Sequence, residues 1–355
     1  MKEAFLNRQK KRKRTTRIIL LVFGLLLLVA AFAAYWLFNT VMSPIVQTPD
    51  KKEFSLYIPT GATYEQVKDS LYRHDLISNP SRFEWLCQRK DYPNHIHAGR
   101  YVLRHGMSNR QLTNLLRGGL QTPVKVTFNN QRDVQGLAGR IGQQIEADSL
   151  SIVTYLNDRN NLETLGFNPR TIPALFLPNT YEFYWNTDAR SYVEKMKQEY
   201  DKFWNEDRRN KAKAKGLTPL QVSILASIVD KETNKTDEMA RIAGVYLNRL
   251  RDGWLLQADP TLVFANGDFE LKRVLNVHKE VESPYNTYKY PGLPPGPICI
   301  PSLASINAVL DAEHHNYYYF CAKEDFSGYH VFAKTLGEHN QNATRYQRAL
   351  GRINN

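Results

Sequence analysis

Thr218-Pro219-Leu220-Gln221-Val222-Ser223-Ile224-Leu225-Ala226-Ser227-Ile228-Val229-Asp230-Lys231-Glu232-Thr233 is the stretch from which the rest of the chain is read. Thr218 offers an N-cap hydroxyl, Pro219 suits the first helical position, and Gln221 completes an S/T-x-x-Q capping box, so a helix is expected. At ~100° per residue, Leu225, Ile228, Val229 and Glu232 fall on one face, and Ser223, Ser227 and Asp230 on another. The apolar face ends in a carboxylate, while the polar face carries one that solvent can satisfy. An acid extending an apolar face should hold its proton more tightly, because burial disfavours the charged form. A general acid needs that property near neutral pH. The alternative is that Glu232 only marks the helix end, paired with Lys231 or Lys235.

Downstream, a second helix is expected over 237–251, with Met239, Ile242, Ala243, Tyr246 and Leu250 on its inner stripe and Gly253 as its stop. Leu256-Gln257-Ala258-Asp259-Pro260-Thr261 reads as a polar loop stiffened by proline. Tyr285-Asn286-Thr287-Tyr288 leads into Pro291-Gly292-Leu293-Pro294-Pro295-Gly296-Pro297, either a rigid ligand wall or a rigid crossover. A helix over 302–312, a hairpin (317–323 and 329–333) and a final helix from Leu336 complete this side.

Upstream, 190–215 reads as one long, charge-laced helix. The aromatic run Tyr181 to Trp185 reads as a strand that either packs in the core or stacks on sugar rings. Residues 124–128 suggest a strand and 134–145 an amphipathic helix. Between 54 and 119 a strand and a capped helix occur twice, with capping boxes Thr63-Tyr64-Glu65-Gln66 and Ser108-Asn109-Arg110-Gln111. This fits a small α+β module over 53–120, preceded by a linker at 39–52.

Residues 18–38 are 21 uncharged, mostly apolar positions, enough to cross a ~30 Å hydrocarbon core. Residues 1–17 hold +7 of the net +12. The positive-inside rule therefore expects a cytoplasmic tail over 1–17, a transmembrane helix over 18–38 and the remainder outside. Ala31-Phe32-Ala33 has the form of a signal-peptidase site, but the run is longer than a ~7–15-residue h-region and stays apolar beyond it. An uncleaved anchor is the favoured reading. Since the tail carries most of the charge, the basic balance does not point to nucleic acid. Cys87, Cys299 and Cys321 lack a C-x-x-C pair, and the nine histidines form no zinc motif, so no metal and no cofactor is expected. One disulfide remains open, as does the reading of all three cysteines as small buried residues. No nucleophile elbow, P-loop or dinucleotide fingerprint occurs.

The order of motifs adds a resemblance. Leu177-Pro178-Asn179-Thr180-Tyr181, Leu225 to Thr233, Asn248-Arg249-Leu250, Leu256 to Thr261, Tyr285 to Tyr288, Gly292 to Ile298, Gly328-Tyr329-His330-Val331-Phe332 and Glu338-His339-Asn340 follow one another in the chain. In that order they resemble the endolytic murein transglycosylases, the YceG-like family. The resemblance implies an α+β protein with one N-terminal membrane helix, a LysM-like module at 53–120 and a catalytic domain over 121–355. It implies cleavage of the β-1,4 bond between N-acetylmuramic acid and N-acetylglucosamine, with Glu232 as the essential acid. Gln257, Asp259, Asn286 and Tyr181 are then expected to bind sugar or orient Glu232. Many relatives carry Glu where this chain has Asp230. The implied partners are peptidoglycan glycan strands, wall synthases and division proteins, at the cytoplasmic membrane. A lysozyme-like hydrolase using Glu232 and Asp259, and a non-catalytic glycan-binding scaffold, remain as alternatives. The intact glutamate motif argues against the scaffold.

Overall fold

Local sequence signals set most of the element starts. In the computed structural model, which describes residues 1–271 and 273–353, all three capping boxes close: Thr63 with Gln66, Ser108 with Gln111, and Thr218 with Gln221. The chain is mixed α and β and divides into two units: residues 1–123 with 184–186, and 124–183 with 187 onward. Residues 354–355, the end of the expected 121–355 domain, lie outside the described residues.

The first unit holds α1 (Lys2–Met42), β1 (Phe54–Ile58), α2 (Tyr64–Arg73), α3 (Pro80–Arg89), β2 (Gly99–Leu103) and α4 (Asn109–Arg117). β1 and β2 pair antiparallel, with Phe54 opposite Leu103 and Ile58 opposite Gly99. Strand alternation sends Leu56, Ile58, Tyr101 and Leu103 inward. There they meet Val67 and Leu71 of α2, Phe83 and Cys87 of α3, and Leu112 and Leu116 of α4. Within α1, Arg12–Met42 contains an 18-residue window of mean hydropathy 2.8 that is unburied, the only such helix among the described residues. The expected 18–38 span lies inside it.

The expected linker at 39–52 is not free. Helix α1 runs on to Met42, and Ile45 and Val46 then insert into this core. Their amides donate to the Met107 carbonyl at 2.9 and 3.1 Å. An apolar pair in a polar stretch gains more by burial than by exposure.

The second unit holds β3 (Val124–Phe128), α5 (Val134–Ile141), α6 (Ser149–Asn157), α7 (Arg159–Leu165), β4 (Asn179–Phe183), α8 (Ala189–Phe203), α9 (Glu206–Ala214), α10 (Pro219–Glu232), α11 (Thr236–Arg251), α12 (Asp259–Asn266), α13 (Leu303–Leu310), β5 (Tyr319–Ala322), β6 (His330–Ala333) and α14 (Leu336–Ile353). Its strands form two antiparallel pairs, β3 with β4 and β5 with β6. Helix α10 lies at the centre, packed against α9, α11, α12 and α13.

Three expectations change here. The single helix over 190–215 is two, because Trp204 is buried at the break and the Asn205 side chain caps α9 by accepting from Arg208 N at 3.0 Å. The helix over 134–145 stops at Ile141, where a Cβ on Gly142 would sit 2.8 Å from Ser149 N. The 256–261 stretch is not all loop. Asp259 and Pro260 open α12, since proline at the second helical position sacrifices no helix hydrogen bond. All three cysteines are unpaired; Cys87 and Cys299 are buried and Cys321 half-buried.

Candidate active site

Helix α10 is buried along Val222 to Asp230, on its serine face as well as its apolar one. The expectation of a solvated polar face does not hold. Its serines are small enough to pack, and their hydroxyls return to helix carbonyls: Ser223 donates to Pro219 O at 3.2 Å and Ser227 to Ile224 O at 2.7 Å. Ser227 Oγ also accepts from Ile298 N at 3.0 Å. This bond seats the end of the proline-rich loop against the helix, so that end of the loop is a crossover. Asp230 is buried too, accepting from Asn130 Nδ2 at 3.0 Å, Ser302 N at 3.2 Å and Ser302 Oγ at 2.5 Å. Ser302 is the N-cap of α13, so Asp230 pins that helix start, where a negative charge is favoured.

Glu232 is the last residue of α10, and the extended backbone of Thr233 ends the helix there. Its carboxylate accepts a hydrogen bond from Tyr246, which is fully buried on α11. The residue keeps a partial opening to solvent through a cleft of about 390 Å³, with protein packed around the remainder. Burial pushes its carboxyl from the ordinary 4.5 up to about 7. The Tyr246 bond opposes that rise, the Asp259 charge adds to it, and Arg249 opposes it weakly.

Arg249, one helical turn after Tyr246, is buried by its own bonds. It donates through Nε to Tyr318 O at 2.8 Å and through Nη1 to Leu256 O at 2.5 Å. These fix the approach to β5 and the 256–259 segment on either side of the guanidinium. Gln257 reaches the cleft from a left-handed backbone (φ +49°), held by its amide donating to Thr287 O at 3.0 Å. Asp259 begins α12 and accepts from Tyr288 Oη at 2.6 Å. Thr261 and Thr287 join the two segments hydroxyl to hydroxyl at 2.8 Å. Tyr319, Phe320, Leu336 and His339 complete the lining of the cleft. Burial and Arg249 together push the His339 imidazole below its usual value, favouring the neutral ring.

One acid that can hold its proton near neutrality, facing a polar cleft with aromatic walls, suits protonation of a leaving group on a bulky polar ligand. The YceG-like family profile matches residues 56–345. The chain belongs to this family.

Among its relatives is an endolytic murein transglycosylase of Bacillus subtilis, 28% identical over 357 residues that cover 96% of this chain and 98% of that protein. Another of that name, from Streptococcus pneumoniae, is 26% identical over 90% of this chain and 63% of its own length. A crystal structure of a YceG-like protein from Listeria monocytogenes superposes with a TM-score of 0.54 at 26% identity. It covers 82% of this chain and 99% of that one.

In this YceG-like chain the cleft gathers Glu232, Gln257 and Asp259 but neither Tyr181 nor Asn286. Tyr181 donates to Leu177 O at 2.6 Å and its ring stacks on Phe128 at 6.0 Å, so it holds β4 in place. Asn286 is fully buried. Its amide donates to Lys279 O and Val281 O at 2.8 and 2.9 Å, and its oxygen accepts from Tyr288 N at 3.0 Å. It therefore acts on the cleft only through Tyr288. Tyr246, Arg249, Tyr288 and Tyr319 also line the cleft, and the sequence alone assigns them no site role. The available signal was helical spacing: Tyr246 and Arg249 are three apart and share a face.

Proposed function

We propose that this chain is a membrane-anchored endolytic murein transglycosylase. It would cleave the β-1,4 bond between N-acetylmuramic acid and N-acetylglucosamine within glycan strands. The observation that carries the reading is Glu232: a carboxyl lining a polar cleft, raised to about 7, with one oxygen engaged by Tyr246. Protonated, it gives its proton to the departing glycosidic oxygen. As carboxylate it then takes the proton from the muramoyl C6 hydroxyl, whose oxygen bonds to C1 and closes a 1,6-anhydro ring. The proton is returned, no water is consumed and no second carboxylate is needed. Gln257 and Asp259 would orient sugar, with Asp259 fixed by Tyr288.

The basic tail and the exposed apolar span of α1 support a single-pass anchor in the cytoplasmic membrane, with residues after 38 outside. Residues 53–120 then form a LysM-like accessory module, and 121–355 the catalytic domain that meets peptidoglycan and the synthases and division proteins working on it. Digestion of purified peptidoglycan in heavy-oxygen water tests the chemistry. Anhydro ends, unlabelled and lighter by one water than a reducing end, are expected. Labelled reducing ends would make the chain a hydrolase with Asp259 as second carboxylate, since both acids line one cleft.

A further inference from the structure

A row of rings continues outward from the acid. Tyr319 lines the cleft, and its ring lies 5.4 Å from that of His339, 25° from parallel. Trp254 meets Tyr319 edge to face, at 6.0 Å and 67°, and lies 5.0 Å from Tyr318, yet stays 43% exposed. It is held by its surroundings, not by burial. Gly253, at φ +69°, turns the chain after α11, and Trp254 N donates back to Arg249 O at 2.8 Å. The Tyr318 hydroxyl donates to Asp252 and accepts from Arg251 Nη2 at 3.1 Å. A fixed, exposed indole is thus rimmed by hydrogen-bonding groups and continuous with the cleft. Pyranose rings carry one apolar C–H face that packs on the negative face of an aromatic ring, with hydroxyls around the edge.

We infer that Trp254 is a stacking shelf for a sugar ring of the glycan strand, beyond the pair of sugars cut at Glu232, with Tyr319 linking it to the cleft. This rests on the glycan-strand reading above. The shelf belongs to strand binding and leaves the proton chemistry untouched.

The test is affinity of the full chain carrying Glu232→Gln for two uncrosslinked glycans, one just long enough to straddle the cleft and one several disaccharides longer. Adding Trp254→Ala should weaken the long strand about tenfold and leave the short one unchanged. Trp254→Phe should fall between, because a smaller ring remains. If the Ala variant does not fold, the Phe variant decides alone, with a two- to three-fold weakening expected on the long strand. Unchanged affinity for the long strand, or equal weakening at both lengths, would overturn the shelf. Absence of cleavage by the wild-type chain would defeat the reaction reading instead, since this assay reads binding without turnover.

Discussion

Asp230 and Glu232 lie two residues apart on α10, in surroundings that differ in one respect above all. Around Asp230 the protein supplies three donors, from Asn130 and from the backbone and hydroxyl of Ser302. Around Glu232 it supplies one, from Tyr246, and leaves the residue lining a cleft. Both acids are largely enclosed, so burial does not separate them. The supply of donors does: one carboxylate is spent on the start of α13, and the other is left with a raised affinity for its proton.

The largest effect should come from Glu232→Gln, which keeps the shape and the Tyr246 bond but cannot give up a proton. Turnover of glycan strands should fall by about a thousandfold with little change in melting temperature. Asp230→Ala should do the reverse. Stranding the Ser302 and Asn130 donors costs about 1–3 kcal/mol, read as a lower midpoint in denaturant, while the folded fraction keeps most of its activity. Equal activity losses in the two variants would break the comparison.

A smaller effect sharpens it. Tyr246→Phe removes the donor that draws the Glu232 carboxyl down, so the carboxyl should rise further and the alkaline limb of the pH–rate profile should move to higher pH. The rate below that limb should drop only several-fold, about 1 kcal/mol of positioning. A limb that stays in place or moves down would deny Tyr246 this role. Stability carries the same sign. The folded carboxyl lies above its ordinary 4.5, so its contribution is full below that value and is lost as pH rises through about 7. Glu232→Gln should lack this loss, as denaturation below pH 4.5 and above about 7 can read.

What the sequence made legible was local. The three capping boxes, the β1 and β3 strands and the acid closing the apolar face depend on neighbours a few residues away, and they appear as expected. What escaped depends on distant partners. The serine face of α10 looked solvated because nothing nearby announces Ile298 and Ser302 packing on it. Asn286 looked like a sugar ligand because polarity does not say whether an amide faces a cleft or its own backbone. Tyr246 lies on the inner stripe that the periodicity predicts, but a periodic pattern does not assign its hydroxyl. The α8–α9 break follows from burial of Trp204, which a run of charges conceals.

The account turns on where Glu232 holds its proton, and titration of its carboxyl carbon by NMR reads that directly, with Glu232→Gln assigning the signal. A midpoint near 7 in the unliganded protein is predicted. A midpoint at the ordinary 4.5 would leave the acid ionised at neutral pH and contradict its role as proton donor.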